Sequence, residues 1–276
     1  MTLTLSNQQV ELSEGITLAY YDSEASLTDT NAKNSKSVVV LLHGYCGSSA
    51  YFSKLAPLLA QRYRLLIPDL LGHGHSSPLK QETYNMEEQA SFIVQWLQGI
   101  GIDGAYVFGH SLGGYITLAL AEQGPKLLQG FGLLHSTALP DSEQAKQNRE
   151  LAIIKVQEQG VTAFVDGLVP KLFAADHPQY EQLLRYGIEI GYQTAPEAVA
   201  GFARGMKERS NRAAVIQRSS LPVLLIAGAK DGVVSPEGTF TGSHSGTACH
   251  VLAEAGHMGM LETPAEMAEL LGQFIG

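Results

Sequence analysis

The chain has 276 residues, 45% hydrophobic and 16% charged, enough for one large domain with a substantial core. A formal net charge of −9 disfavours nucleic acid or an anionic membrane surface as the main partner. No apolar run approaches ~18 residues, which predicts no transmembrane helix, and Met1-Thr2-Leu3-Thr4-Leu5-Ser6 lacks the basic and long apolar segments of a secretory leader. The two cysteines, Cys46 and Cys249, form no Cys-rich framework. They read as free thiols in a reducing compartment, and a cytoplasmic location is expected.

In chain order, residues 8–12 and 16–22 predict two short strands joined by a Ser-Glu-Gly turn, and the polar stretch 23–36 a solvated loop. Ser37 to Leu42 is an unbroken β-branched and Leu run, the pattern of a strand buried on both faces. Residues 50–61 predict a helix, and Tyr63 to Ile67 another buried strand closed by Pro68-Asp69. Residues 85–99 predict a helix with Phe92, Ile93, Trp96 and Leu97 on one side. A strand follows over 105–108, a helix over 112–123 and a strand over 130–134. Strands alternating with helices of 10–15 residues imply a parallel sheet covered on both faces.

From about 138 to 218 the pattern changes to amphipathic helical stretches at 142–158, 160–174, 178–191 and 196–209. Strand logic resumes at Pro222 to Ala227 and at Ala248 to Leu252, and a last helix runs from about Pro264 to Phe274. The expected fold class is therefore α/β: a mostly parallel twisted sheet of about eight strands with a helical cap after the sixth. Residues 1–137 and 219–276 make the core domain, and 138–218 an inserted lid, too ordered for a loop of that length. No internal repeat or low-complexity segment is present.

The chemistry begins at Gly109-His110-Ser111-Leu112-Gly113, directly after Ala105-Tyr106-Val107-Phe108. A serine at such a strand-to-helix corner sits on a strained turn with its hydroxyl exposed. Side chains in place of the flanking glycines would collide with the neighbouring strand or helix. The following helix aims N–H groups at the serine and stabilises negative charge beside it. A serine hydroxyl needs a base within hydrogen-bond reach, and the base an orienting carboxylate. Ile226-Ala227-Gly228-Ala229-Lys230-Asp231 and Ala255-Gly256-His257-Met258 supply the candidates Asp231 and His257 after later strands. In a parallel sheet these loops open at the same end as the serine turn.

With these residues in hand, the sequence resembles the α/β-hydrolase superfamily over nearly its whole length. The resemblance rests on His43-Gly44, Pro68-Asp69-Leu70-Leu71-Gly72-His73-Gly74-His75-Ser76, the serine pentapeptide, Gly228-Ala229-Lys230-Asp231 and Gly256-His257, in the family's order. It implies Ser111 as nucleophile, His257 as general base and acid, Asp231 as its carboxylate, and an oxyanion hole from the backbone N–H groups of Leu112 and Tyr45. It implies no metal and no organic cofactor.

Other readings of single residues stand beside these. Ser111 alone would fit an ordinary helix N-cap. Asp69 also follows a strand, but the family's 68–76 loop is usually structural, which favours Asp231. His73 and His75 lack a third nearby ligand, so no metal site is expected. His110 is expected to pack at the turn, pointing away from Ser111. The substrate pocket is expected to draw on His43, Cys46, His135, Phe164, Phe173, Met206, Val233, Val234 and Met258, together with Tyr45 and Leu112. Cys46 and His135 have packing readings too, and Phe164, Phe173 and Met206 could simply be core.

Serine at the nucleophile position sets aside the dehalogenases and epoxide hydrolases of this superfamily, which carry Asp there. The absence of a His-Gly-Gly-Gly run argues against the hormone-sensitive-lipase type. The expected function is a serine esterase, a carboxylesterase-like enzyme cleaving small soluble esters through an acyl-enzyme. Carbon–carbon bond hydrolases, enol-lactonases and cofactor-free perhydrolases keep the same triad. The first two bind anionic substrates, for which Arg204, Arg209 and Arg212 are candidates. A hydrolase-fold signalling receptor with little turnover is the non-enzymatic alternative. The expected partner is a small-molecule ester, with no nucleic acid and no membrane.

Overall fold

The computed structural model describes residues 2–26, 36–124 and 126–276. Eight strands form one sheet: β1 (Gln8–Ser13), β2 (Ile16–Asp22), β3 (Val38–Leu42), β4 (Arg64–Pro68), β5 (Ala105–His110), β6 (Leu128–Leu134), β7 (Val223–Gly228) and β8 (Thr247–Leu252). Their order is β1-β2-β4-β3-β5-β6-β7-β8. β1 and β2 are antiparallel to their neighbours, and β4, β3, β5, β6, β7 and β8 run parallel. The central strands β3, β4 and β7 are buried almost throughout, which explains why they read as continuous apolar runs. The polar stretch after β2 lies mostly at residues 27–35, outside the described residues.

The longer helices are α1 (Met86–Gly99), α2 (Leu112–Gln123), α3 (Glu143–Leu168), α4 (Tyr180–Gly191), α5 (Pro196–Glu208) and α6 (Pro264–Ile275). In α1, Asn85 caps the first turn by accepting from Glu88 N–H. Its Ile93, Trp96 and Leu97 are buried and Phe92 is half-buried. Trp96 meets Tyr20 of β2 edge-on at 5.1 Å. In α6, Phe274 meets Phe108 of β5 at 5.8 Å and Tyr106, two residues earlier on the same strand face, at 6.2 Å.

Two expected elements differ. The helix over 50–61 is broken into a single 3₁₀ turn at Ser49–Phe52 and an α-turn at Ala56–Leu59. Pro57 sits at the start of the second piece, where its missing N–H is tolerated and from which it cannot continue a preceding helix. The stretch 160–174 stops being α-helical at Leu168. A 3₁₀ turn at Val169–Lys171, with Pro170 in its first turn, follows. The stretches 142–158 and 160–174 adjoin within α3, parted by a kink at Gly160, whose φ of 82° is open to glycine and strained for other residues.

One register row crosses the sheet: Leu42 opposite Gly109, Gly109 opposite Leu133, Leu133 opposite Leu225 and Leu225 opposite Cys249. Because these strands are parallel, the loops leaving β3, β5, β6, β7 and β8 all emerge at one edge. Between β6 and β7 the chain runs through α3, α4 and α5.

Candidate active site

Ser111 occupies the corner between β5 and α2 with φ 50° and ψ −113°, a strained conformation for a residue with a side chain. The turn is tight because glycines flank it. A Cβ at Gly109 would lie 2.1 Å from the Gly113 carbonyl oxygen, and one at Gly113 would lie 2.3 Å from the Leu42 carbonyl oxygen. The bend is held by Ser111 N–H donating to Leu134 O at 3.1 Å and by Ser136 Oγ donating to Ser111 O at 2.7 Å. Ser111 is half-buried, and its hydroxyl makes no hydrogen bond among the described residues. Cys46, in the loop after β3, and His135, directly after β6, share its positive φ, at 54° and 49°. These three are the non-glycine residues in that region among the described residues, and all lie at the same sheet edge.

His257 follows β8, and its Nδ1 lies 2.8 Å from Asp231 Oδ2. That contact puts the proton on Nδ1 and leaves Nε2 as the lone-pair nitrogen. Asp231 follows β7, and its Oδ1 accepts the Val233 and Val234 N–H groups at 2.7 and 3.0 Å. Burial opposes ionisation of Asp231, but the His257 ring, His135 and the Val234 N–H outweigh it and hold the carboxyl far below the usual range. Asp69 is engaged elsewhere. It accepts from Thr4 Oγ1, Ser6 Oγ, Ser49 N–H and His75 N–H, tying the N-terminal segment to the β4 loop.

The loop after β3 packs against the serine turn. A Cβ at Gly44 would lie 3.3 Å from Ser111 Cβ and 2.6 Å from His110 Nδ1. Neither the Tyr45 N–H nor the Leu112 N–H donates to another group among the described residues. Leu112 opens α2, where helix geometry leaves the first N–H groups without intrahelical acceptors.

The remaining candidates divide. Tyr45 and Phe164 meet edge-on at 5.7 Å and line one cavity beside the site, and Val233 and Val234 line a second. His43, Cys46, His135, Phe173, Met206 and Met258 are buried and line neither cavity. Each of the six has a packing role. His43 donates from Nδ1 to Gly44 O and accepts Leu70 N–H at Nε2, so it fastens the β3 loop to the β4 loop. Burial lowers the pKa of its ring to about 4, against a smaller opposing effect of the Gly44 carbonyl. Cys46 lies inside the core and burial pushes its thiol up. His135 Nδ1 lies 3.6 Å from Asp231 Oδ2, beyond hydrogen-bond distance, and burial lowers its pKa. Phe173 packs against Gly187 of α4, and Met206 is in the buried face of α5. Met258 follows His257, and its N–H is bound by Glu262.

Sequence reasoning understated His110 and missed Glu262. Beyond packing at the turn, His110 donates from Nε2 to His257 O at 2.8 Å, with the two rings 4.9 Å apart. It thereby ties the nucleophile strand to the histidine loop. Glu262 accepts the N–H groups of Gly256 and Met258, on either side of His257, at 2.9 and 3.0 Å, and that of Ala174 at 2.7 Å. Its sequence signal was a lone charge closing the apolar run Met258-Gly259-Met260-Leu261.

Against known proteins, a family model described as alpha/beta hydrolase fold matches residues 37–264. The magnesium-chelatase 30 kDa subunit of Rhodobacter capsulatus is 32% identical over 71% of this chain and 72% of its own length. The dihydrolipoyllysine-residue acetyltransferase component of the acetoin cleaving system of Cupriavidus necator is 26% identical over 86% of this chain and 63% of its own length. The chain thus spans less than two thirds of some relatives it matches. A thermophilic esterase from Thermogutta terrifontis superposes with a TM-score of 0.86 at 24% identity, covering 97% of this chain and 98% of that one. With the sheet order, the serine corner and the family match in agreement, the chain belongs to the alpha/beta hydrolase fold family.

Proposed function

We propose that this hydrolase cleaves small soluble carboxylic esters through an acyl-enzyme, with Ser111 as nucleophile, His257 as general base and acid, and Asp231 as the orienting carboxylate. The single observation that carries the reading is the 2.8 Å contact between His257 Nδ1 and Asp231 Oδ2 at the sheet edge that also holds Ser111 on its strained turn. With Nδ1–H committed to a buried carboxylate, Nε2 is the free base. His257 Nε2 takes the Ser111 proton as the hydroxyl oxygen attacks the acyl carbon. Ser111 Oγ and the ring share no hydrogen bond among the described residues, and catalytic hydrogen bonds of this kind often tighten only in the substrate complex. His257 then gives the proton to the leaving alcohol, and water repeats the sequence to release the acid.

The developing oxyanion is received by the N–H groups of Tyr45 and Leu112. Buried backbone donors are nearly always paired, so two unpartnered ones flanking a nucleophile support this role. Residues 138–218 act as a lid. Its support is a set of hydrogen bonds across the cleft: His257 N–H to Leu172 O, Ala174 N–H to Glu262, and Tyr45 Oη–H to Val199 O. Cavities of about 410 and 510 Å³ beside the site suit a substrate of modest size.

The test is the initial rate on p-nitrophenyl acetate, butyrate and octanoate for the wild type and Ser111→Ala. The serine variant is expected to lose on the order of 10⁶ in kcat. Wild-type rates no greater than those of the variant would sink the esterase reading.

A further inference from the structure

Two cavities meet at Arg149, on α3. The first also takes in Lys155 and Lys171, and the second Lys171, Arg209 and Asp141. Four cations and one carboxylate therefore line this space, in a chain whose net charge is −9.

The single carboxylate is oversubscribed. Asp141 Oδ2 accepts from Arg149 Nε at 3.0 Å, and its Oδ1 accepts from Arg209. Arg209 is largely occupied: its Nε and Nη1 also donate to Leu139 O and Met206 O, and its guanidinium is stacked 3.9 Å over the Tyr115 ring. Arg149 is not. Only its Nε–H is used, and its two terminal amino groups make no hydrogen bond among the described residues, though the side chain is only 23% exposed. Lys155 and Lys171 make no ion pair among the described residues. A guanidinium presenting two parallel donors in a sheltered cavity matches the geometry of a carboxylate. The space adjoins the reacting end: Tyr45 lines the first cavity, and Val233 and Val234, the residues bound to Asp231, line the second.

We propose that Arg149, supported by Lys155 and Lys171, binds a carboxylate at the far end of the substrate, so that the preferred esters are monoesters of dicarboxylic acids. The kinetic consequence rests on the ester-hydrolase reading; the binding consequence does not.

The experiment compares kcat/KM for monomethyl adipate and methyl hexanoate, which differ in a terminal carboxylate against a methyl group, by acid release at about pH 8, where the distal carboxyl is ionised. The wild type is expected to favour the anionic ester at least about tenfold, and Arg149→Gln to lower that ratio roughly 10- to 100-fold, the worth of a charge-assisted pair. Lys171→Ala, at an exposed position, lowers the ratio by a smaller factor. Because the readout is a ratio within one preparation, partial loss of folded protein cancels. A wild-type ratio at or below one, or a ratio untouched by Arg149→Gln, overturns the proposal. If neither ester is hydrolysed, the ester reading fails and calorimetric titration with adipate decides the anion site. Binding by the wild type that is lost in Arg149→Gln sustains it, and equal or absent binding overturns it.

Discussion

Asp231 and Asp141 are both sheltered carboxylates at the rim of one cleft, but different forces hold them. Asp231 belongs to the sheet. It takes two backbone N–H groups from its own loop and one imidazole from the next, so strand geometry fixes its position. Asp141 belongs to the insertion and takes two guanidiniums, one from α3 and one just beyond α5, so long side chains from separate helices fix it. The first arrangement orients a single proton carrier. The second leaves an excess of positive charge facing the cavity. On the proposed reading, reaction type and substrate choice are lodged in regions with different physical supports.

The largest effect that would sharpen this contrast is expected from Asp231→Asn. An amide accepts poorly from His257 Nδ1–H and turns the ring toward the wrong tautomer, so kcat should fall on the order of 10⁴ while KM for a neutral ester changes little. Steady-state kinetics on p-nitrophenyl butyrate measure this, and a loss under tenfold would remove Asp231 from the proposed machinery.

The sheet half of the cleft was legible in the sequence because its groups sit at the ends of unbroken apolar runs. Val38–Leu42, Ala105–His110 and Val223–Gly228 announce strands, and a parallel sheet brings their trailing loops together whatever the intervening chain does. The roles of His43 and His110 were less legible. Both lie beside functional residues, and the backbone groups they bind, at Leu70 and His257, are 27 and 147 residues away. The insertion hid the most. Its helices could be seen from their periodicity, but which cations share a carboxylate depends on how α3 and α5 pack, and periodicity does not encode that.

Glu262→Ala bears on both halves, because its carboxylate clamps the His257 loop and reaches Ala174 in the insertion. Removing it strands three N–H donors, with an expected stability loss of about 3 kcal/mol in urea unfolding and a fall in kcat of roughly 10- to 100-fold as His257 loses its fixed position. An unchanged kcat would mean that the His110 and Leu172 hydrogen bonds hold the loop without it.

The smallest effect concerns pH. His43 stays neutral in the folded protein down to about pH 4, whereas the unfolded chain takes up the proton near its ordinary pKa of 6.5. Between these values the unfolded state binds more protons, so stability falls as pH falls and levels off below the folded pKa. The His43 share of that loss approaches about 3 kcal/mol. Urea midpoints across this range should decline less steeply for His43→Gln than for the wild type. Parallel slopes would assign the acid sensitivity to the other buried histidines, His73, His110 and His135.

The register row across the sheet has a consequence for chain length. Adding or removing one residue within β3, β5, β7 or β8 moves that strand's trailing loop about 3.3 Å and turns its side chains to the opposite face. At the opposite edge, the connections entering the strands carry none of these groups, and the one between α1 and β5 can gain or lose residues without shifting them. Sequence length is therefore a fixed dimension on one side of this molecule and a free one on the other.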